Sequence, residues 1–405
     1  IINENEGPVI PTNSILTNHI LNNSIISRNI KNNAILAEHI RLGTLDNSSI
    51  SQNMDSHNKI NLSKGIFYTI DWYIKNKKAP TITAVGGYVP EHVLTNADIA
   101  RMVDTSDEWI VSRTGIKERR ILKPTSLGTS FLAIKAAQNL LDKNNIDPTK
   151  IDLLIVATAT PDMPVSSTAA YVATEIGATN AFAYDLQGAC SGFLFGMSAA
   201  SSHISSGRCS NVLLIGADTM SSIIDYTDRT TCVIFGDGAG AVLFEPNDEG
   251  LGLQDEVLRV DGNGRTYLKI DAGGSMLPAS NETVTEKQHF LRQEGRPVFK
   301  FAVSYMSSAI TKVLERNQLA KDDIDFVVAH QANKRILDAI SNHLDLKSDQ
   351  MLINIDRYGN TTAATLPLLL WDYEHLLKKN QKLLFTAFGG GFTWGASYLT
   401  WAYNS

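Results

Sequence analysis

The sequence predicts a layered α/β fold with a mostly parallel central sheet, built on a core that is present twice. Continuous apolar runs of strand length alternate with segments of helical periodicity, an order typical of a sheet covered by helices. This strand–helix pattern occurs once before about residue 250 and again after about residue 298. The composition, with 43% hydrophobic and 19% charged residues, is that of a globular chain.

Length, charge and cysteine content exclude several classes of protein. The 405 residues suffice for two or three domains. With 36 basic and 42 acidic side chains the net charge is −6, so we expect no nucleic-acid partner. Three scattered cysteines predict neither a disulfide framework nor a metal site and suit a reducing compartment. No apolar run approaches the roughly 18 residues of a membrane helix, and the N-terminus lacks the basic region of a signal peptide, so we expect a cytoplasmic protein without membrane insertion.

Residues 1–78 differ from the rest because an apolar residue recurs every five positions among mostly Asn, Ser, Thr and His. A period of five fits neither a helix nor a strand. It fits a β-solenoid-like chain that turns a corner every five residues; a loosely ordered, Asn-rich extension is the open alternative. A linker is predicted over residues 65–79, and no activity is assigned to residues 1–78. The recurring residues are Ile10, Ile15, Ile20, Ile25, Ile30, Ile35, Ile40, Leu45, Ile50 and Ile60.

The remaining chain is predicted to form two α/β halves, residues 79–250 and 251–405. Helical periodicity predicts helices over 126–141, 192–206 and 298–315. Apolar runs predict buried strands over 151–158, 181–186, 211–216, 232–235, 239–244, 325–330 and 382–387.

Cys190 is the first candidate for chemistry, since it follows a predicted strand and begins an apolar helix. Backbone N–H groups and the positive end of the helix dipole favour a thiolate there, the form that acts as a nucleophile. Gly188 and Gly192 would allow a tight turn and close approach of a substrate. A buried structural cysteine is the competing interpretation. Cys209 and Cys232 lack this setting and are assigned to a loop and to the core.

Three further features become informative when they are taken together. His330 ends a predicted strand, and Asn360 lies in a Gly-Asn turn. The three glycines at 389–391 leave backbone N–H groups free to face a developing oxyanion. Each has an ordinary structural explanation as well: a hydrogen-bonded histidine, a simple turn and a flexible loop.

About the last 320 residues resemble β-ketoacyl-acyl carrier protein synthase III, the initiating condensing enzyme of type II fatty acid synthesis in the thiolase superfamily. Six separate matches in the order of the family make the resemblance specific. They are Thr-Ser-Asp-Glu-Trp-Ile at 105–110 with Arg-Thr-Gly-Ile at 113–116, Gly-Ala-Cys-Ser-Gly-Phe around Cys190 with Asp-Arg at 228–229, Phe-Gly-Asp-Gly-Ala-Gly at 235–240, His-Gln-Ala-Asn at 330–333, Tyr-Gly-Asn-Thr at 358–361 and Gly-Gly-Gly-Phe-Thr-Trp-Gly at 389–395.

The resemblance implies a duplicated, five-layered αβαβα thiolase-like core, a homodimer and a reaction through an acyl-enzyme. Cys190 would attack a short acyl-CoA, with acetyl-CoA as the expected primer. His330 and Asn360 would hold the thioester oxygen of malonyl-acyl carrier protein while it loses carbon dioxide. The backbone N–H groups of Cys190 and Gly390 would bind the tetrahedral oxyanion. No metal or organic cofactor is implied, and acyl-CoA is a substrate.

The resemblance also implies binding residues. Trp109 and Arg229 would sandwich the adenine of CoA, and Thr105 and Arg113 would contact its nucleotide end. Two further residues, Lys300 and Arg335, match positions associated with docking the acidic carrier protein; a solvated helix face is the plain alternative for both.

Two positions depart from well-known members of the family. Met163 falls where a Phe of the partner subunit often closes the acyl pocket, and its flexibility leaves the chain-length preference open. Arg296 stands where a polar amide helps to hold the CoA arm in some members, so that contact is expected to change.

Three other functions remain as alternatives. The nearest is a condensing enzyme or acyltransferase of secondary metabolism with a different acyl primer. A papain-like protease shares the chain order Cys, His, Asn, but its Cys-Gly-Ser-Cys-Trp signature is absent. A scaffold protein with an inactive synthase-like domain is disfavoured by the intact Cys190, His330 and Asn360.

Overall fold

Two sheets of matching strand order form the core of the described chain, which comprises residues 79–404 of a computed structural model. The predicted repeat of residues 1–78 lies outside the described residues, and the linker predicted over 65–79 lies outside them apart from Ala79. Within residues 79–404, no helix is both long and apolar enough to cross a lipid bilayer.

The described chain has these strands: β1 (Ala79–Tyr88), β2 (Val93–Thr95), β3 (Glu118–Arg120), β4 (Leu153–Ala157), β5 (Phe182–Leu186), β6 (Val212–Thr219), β7 (Asp237–Asn247), β8 (Gly252–Val260), β9 (Leu268–Lys269), β10 (Arg292–Gln293), β11 (Phe326–Ala329), β12 (Lys382–Gly389) and β13 (Thr393–Thr400). Its α-helices are α1 (Asn96–Ala100), α2 (Asp107–Thr114), α3 (Thr129–Asn144), α4 (Thr168–Glu175), α5 (Gly192–Ser205), α6 (Asn281–Thr285), α7 (Gly295–Arg316), α8 (Lys334–Leu344), α9 (Ile355–Tyr358) and α10 (Thr365–Tyr373).

The first sheet has the order β1-β7-β6-β4-β5, and the second has the order β8-β13-β12-β11. In the first, β7 is antiparallel to β1 and β6, while β4 is parallel to β6 and β5. In the second, β13 is antiparallel to β8 and β12, and β12 is parallel to β11. A parallel bridge from Val327 to Met351 stands in the place of a fifth strand. The two sheets therefore repeat one topology. Each sheet is mixed, so the prediction of a mostly parallel sheet is wrong: an antiparallel strand, β7 or β13, lies inside each one.

Helices complete five layers, because α5 and α10 lie between the sheets and the other long helices cover the outer faces. α5 contacts strands of both sheets, and so does α10. α3 and α4 pack on the first sheet, and α7 packs on the second with α8 beside it. The central helices are apolar on most of their circumference, with Phe193, Leu194, Leu366 and Leu369 all inaccessible to solvent, as burial on both sides requires.

One predicted strand, over residues 232–235, is wrong. Residues 232–234 form turns in which Cys232 N donates to Asp228 O at 3.0 Å and Ile234 N donates to Thr231 O at 3.0 Å, and Phe235 forms only an isolated bridge to Asn360. The Asp228 carboxylate starts the turns by accepting a bond from Thr230 N at 2.8 Å. The run is apolar because it is buried, and burial alone does not distinguish a strand from a turn. The other six predicted strands are present, with ends shifted by up to three residues.

A missing side chain allows the first sheet to approach the centre of the molecule. A Cβ atom at Gly216, in the middle of β6, would collide with the carbonyl oxygen of Ala363. Glycine here permits the close approach of two backbones. The turn that contains Ala363 is therefore packed directly against a central strand, and this turn organises the site.

Candidate active site

Cys190 lies in a short 3-10 turn, Ala189–Ser191, between β5 and α5. Ser191 Oγ donates to the carbonyl of Thr393 at 3.1 Å, which fixes the turn to β13. A Cβ atom at Gly389, the last residue of β12, would lie 2.6 Å from Cys190 N. Both sheets thus meet at the cysteine, and the predicted place at the start of a helix is confirmed.

The thiol borders a cavity of about 1290 Å³. Among the lining residues, Phe235, Thr362 and Gly390 lie on segments separate from that of Cys190. Arg265, Leu268 and other residues of the long connection between β8 and α7 also line it. The cavity is large enough for a flexible chain of several carbons to reach the cysteine.

Burial raises the pKa of the Cys190 thiol far above its ordinary value, and the Asp218 carboxylate raises it further. A backbone hydrogen bond lowers the pKa by less. The backbone at the start of the helix favours the thiolate as expected, but desolvation penalises the charged form more strongly. Cys190 is a protonated thiol at neutral pH.

His330 follows β11 and is buried and neutral. Its N–H donates to the carbonyl of Thr386 at 2.8 Å, and its Nδ1 lies 2.8 Å from Thr365 Oγ1. Burial lowers the pKa of His330 to about 3. The Thr365 hydroxyl has one hydrogen and two neighbouring acceptors, His330 Nδ1 and the Thr362 carbonyl, which lies 3.0 Å from Oγ1. When the hydroxyl donates to Nδ1, the ring carries its single proton on Nε2 and can donate it to a substrate.

Asn360 is fixed by its backbone and by one side of its amide. Its N–H donates to Ile234 O at 2.9 Å, and its carbonyl accepts from Gly236 N at 3.1 Å. Its Oδ1 accepts a bond from Thr362 N at 2.8 Å. The side-chain nitrogen of Asn360 donates to no residue of the described range 79–404, so two N–H donors remain for a substrate.

A single turn, residues 361–365, connects the three predicted catalytic residues. Its Thr362 holds the Asn360 amide, its Thr365 contacts His330, and Thr362 lines the cavity beside Cys190. Neither threonine is indicated by the sequence. Thr365 and His330 are 35 residues apart in sequence, so no local sequence pattern predicts that the hydroxyl lies beside the imidazole.

The predicted oxyanion residue Gly390 lies in the tight connection from β12 to β13 and lines the same cavity as Cys190. The closeness of Gly389 to Cys190 N shows that the glycine run brings its backbone near the cysteine, as a backbone oxyanion site requires. The role of the Gly390 N–H stays a prediction.

Trp109 and Arg229 stack directly on each other. The Arg229 Cζ lies 5.0 Å from the centroid of the Trp109 ring, and Nη1 donates to Asp104 O at 2.8 Å. A flat base between them would need about 7 Å, two contacts of about 3.5 Å each. The predicted clamp is thus assembled but closed. Thr105 precedes α2, and Arg113 lies in its last turn.

Lys300 and Arg335 are exposed on neighbouring helices, α7 and α8. The Arg335 guanidinium lies 5.3 Å from the ring centroid of Phe299, the residue before Lys300. The two predicted docking cations therefore belong to one surface.

The two positions that depart from the family are also exposed. Arg296 lies in the first turn of α7, while Met163 is 54% exposed and does not line the cavity of its own chain.

A doubled five-layered α/β core with a buried Cys, His and Asn around one cavity defines a thiolase-like enzyme. Models of the 3-oxoacyl-[acyl-carrier-protein] synthase III family match residues 184–262 and, for its C-terminal part, residues 314–401. Among solved structures, the synthase III of Thermus thermophilus has a TM-score of 0.74 and 42% identity over 80% of this chain and 99% of that one. That of Aquifex aeolicus has a TM-score of 0.73 and 38% identity over 80% and 100%.

Curated relatives are more similar still. β-Ketoacyl-[acyl-carrier-protein] synthase III 2 of Bacteroides thetaiotaomicron is 54% identical over 323 residues, which cover 80% of this chain and 96% of the relative. The synthase III of Chlorobaculum tepidum is 47% identical over 324 residues, 79% of this chain and 98% of the relative. The chain belongs to the β-ketoacyl-acyl carrier protein synthase III family, and it is an acyltransferase of the condensing type.

The burial of neutral His330 makes a prediction about acid stability. The folded-state pKa of about 3 lies below the ordinary 6.5, so the unfolded chain binds the proton more readily as pH falls through 6.5. The free energy of unfolding is therefore not reduced by His330 above pH 6.5, and it falls progressively as the pH drops below that value. Relative to His330→Gln, the wild type should lose stability between pH 7.5 and pH 5, measured by urea denaturation.

The other titrating groups, including Asp218, are present in both the wild type and His330→Gln. Their contributions to the pH dependence of stability therefore cancel in the difference between the two proteins. Parallel pH curves for the wild type and His330→Gln would contradict a buried neutral imidazole.

Proposed function

We propose that the chain condenses a short acyl-CoA, with acetyl-CoA as the expected primer, with malonyl-acyl carrier protein and so starts fatty acid synthesis. One observation carries the proposal. A single buried turn holds both His330 and Asn360 and lines the cavity beside Cys190. Membership of the synthase III family supports the choice of substrates.

In the first proposed step, Cys190 attacks the thioester carbonyl of the acyl-CoA. A sulfur–carbon bond forms to Cys190, the bond to the CoA sulfur breaks, and the thiol proton passes to the departing CoA. The N–H groups of Cys190 and Gly390 stabilise the oxyanion between these events. Because one thioester replaces another, the step needs no external energy source.

In the second step, His330 and Asn360 donate hydrogen bonds to the malonyl thioester oxygen. The malonyl carboxylate leaves as carbon dioxide, and its bonding electrons form an enolate on that oxygen. The enolate carbon attacks the acyl carbonyl on Cys190 and forms a carbon–carbon bond, the bond to the Cys190 sulfur breaks, and the thiolate takes a proton from water. Since His330 stays neutral, it stabilises the enolate as a hydrogen-bond donor without becoming a cation. We propose that these side chains act with no metal or organic cofactor.

The nucleotide end of CoA is proposed to bind at α2. Adenine would enter between Trp109 and Arg229, which must first move apart from their present contact. The Arg229 guanidinium is delocalised and planar, so it can exchange the indole face for the adenine face at little cost. Thr105 and Arg113 lie before and within the same helix, next to this position.

The carrier protein is proposed to dock on the surface around Lys300 and Arg335. Both cations are exposed, neither forms an ion pair within residues 79–404, and they lie on adjacent helices. A local basic patch suffices to steer an acidic partner even where the net charge of the chain is negative.

A homodimer through the open edge of the first sheet is also proposed. β5 is the edge strand, and its first residue, Phe182, is 44% exposed. Other exposed apolar side chains, Met163, Val165 and Tyr171, belong to the segment that precedes β5. An unpaired edge with an apolar border is typical of a surface that pairs with another chain. Met163 would then close the partner's cavity rather than its own.

A condensing enzyme with a different primer, acting in secondary metabolism, remains the second candidate. The observation that favours it is the cavity of about 1290 Å³, which exceeds the space that an acetyl group needs. It differs from the main proposal only in the acyl chain.

The acyl-enzyme predicts a mass change at one residue. Incubation with acetyl-CoA should add one acetyl group to the wild type and none to Cys190→Ala, measured by intact-protein mass spectrometry. Cys232→Ala is the matched control, since Cys232 is buried outside the cavity, and it should be acetylated like the wild type.

If longer or branched acyl-CoAs in a panel label the wild type better than acetyl-CoA does, the assignment of acetyl-CoA as primer is wrong. That result would support the second candidate, a condensing enzyme with a different primer. No label from any member of the panel would contradict the reaction itself.

Two binding residues should separate the two substrates in steady-state kinetics. Trp109→Ala should raise KM for acyl-CoA about tenfold, because one face of the adenine site is lost. Lys300→Glu should raise KM for the malonyl carrier protein severalfold and weaken its salt dependence. Each variant is the control for the other, and a rise in KM for the wrong substrate would contradict the corresponding site.

The dimer is tested by placing a charge on the sheet edge. The chain of 44.3 kDa should sediment at about twice its mass, and Phe182→Lys should shift it toward the monomer. Leu376→Lys, at an exposed apolar residue away from β5, is the matched control. Equal dissociation by both variants, or a monomeric wild type, would rule out this interface.

A further inference from the structure

Asp218 is a fully buried carboxylate at the end of β6 that no step of the proposed reaction uses. Its Oδ1 accepts four hydrogen bonds and its Oδ2 accepts one, and no donor is a charged side chain. The four donors to Oδ1 belong to the segment after β4: Thr158 Oγ1 at 3.1 Å, Ala159 N at 2.7 Å, Thr160 N at 3.2 Å and Thr160 Oγ1 at 2.9 Å. Such a site is costly to build, because a buried charge must be satisfied entirely by fixed dipoles.

The remaining oxygen, Oδ2, accepts a bond from Ala363 N at 3.0 Å. Ala363 is the middle residue of the turn 361–365 that holds Asn360 and His330. Asp218 therefore reaches the turn from β6 through a single charge-assisted hydrogen bond, the strong kind.

The turn needs an anchor because it contains an unfavourable backbone conformation. Thr362 has φ of +55°, in the left-handed region that β-branched residues avoid. Its N–H donates to Asn360 Oδ1 at 2.8 Å, and its carbonyl oxygen lies 3.0 Å from Thr365 Oγ1. Were Thr362 to relax, both the Asn360 amide and the Thr365 hydroxyl beside His330 would move.

We propose that Asp218 is a positioning residue which, through Ala363, holds the turn 361–365 so that Asn360 and His330 face the malonyl thioester together. The inference rests on the proposed function. Asp218 touches no substrate in this scheme. Its contribution belongs to decarboxylation and condensation, not to the transfer of the acyl group to Cys190.

The Asp218 carboxylate supports the turn 361–365, but it disfavours the reactive thiolate form of Cys190. Its negative charge raises the pKa of the thiol, along with burial. Neutralising residue 218 should therefore make the thiolate more accessible while it loosens the turn. The two half-reactions are expected to respond in opposite directions, which general damage to the fold does not produce.

Asp218→Asn is the sharpest test, since it keeps the shape and removes the charge. The amide nitrogen cannot accept a hydrogen bond, so it will avoid the side with four donors and face Ala363 N, and the anchor is lost. Malonyl decarboxylation and condensation should fall about 100-fold, as expected for misplaced groups. Alkylation of Cys190 by iodoacetamide at pH 7.5 should become severalfold faster, and acetylation by acetyl-CoA should not slow.

The wild type is assayed beside it, so the two proposals can fail separately. A wild type that never condenses contradicts the proposed function. A condensing wild type with an equally active Asp218→Asn, or with both half-reactions reduced in proportion, overturns the positioning role.

A second variant covers the case in which Asp218→Asn does not fold. Thr158→Val removes one donor to Oδ1 at nearly constant shape and should lower decarboxylation severalfold with Cys190 acetylation intact. Thr81→Val is the matched control, because the buried Thr81 hydroxyl has no hydrogen-bond partner within residues 79–404. Equal activity of the two valine variants overturns the proposal.

Discussion

The structure depends on one constraint: polar groups buried between two sheets cost free energy unless they find hydrogen-bond partners. The duplicated topology brings the ends of β6, β11 and β12 together at the centre of the molecule, where an unpaired backbone or side-chain dipole would be costly. The turn 361–365 meets this demand by bonding to Asp218, Asn360 and His330. The contacts that satisfy these buried dipoles are therefore the same contacts that set the proposed catalytic geometry.

The same burial decides the protonation states. It lowers the pKa of His330 to about 3 and raises that of the Cys190 thiol, so both are neutral at pH 7. Asp218, with a pKa raised to about 6 by burial, is the charged group among them. A neutral site suits the exchange of one thioester for another and the loss of carbon dioxide from a carboxylate, because neither step requires the protein to supply a strong acid or base.

The sequence indicates the three proposed catalytic residues because each follows a recognisable local pattern: a strand-to-helix junction at Cys190, a strand end at His330 and a Gly-Asn turn at Asn360. It does not indicate what holds them. The bond from Ala363 to Asp218 joins residues 145 positions apart, and only the packing of the sheets brings them together. The false strand over residues 232–235 has the same origin, since an apolar run reports burial and not backbone direction. The desolvation of Cys190 is likewise a property of the folded core and not of its neighbours in sequence.

A buried cation connects the proposed nucleotide site to Asn360. Arg119 has no exposed surface, and its guanidinium donates to Asn96 Oδ1 at 2.8 Å and to Val233 O at 2.8 Å. Asn96 in turn donates to the Asp107 carboxylate at 2.8 Å, at the start of the helix that carries Trp109. Val233 lies in the turns next to Ile234, whose carbonyl accepts the Asn360 N–H. Burial lowers the pKa of Arg119 to about 10, so it stays charged at neutral pH and needs these acceptors. Displacing α2 to admit adenine therefore acts on the network that also supports Asn360, whereas moving the Arg229 side chain alone leaves that network intact.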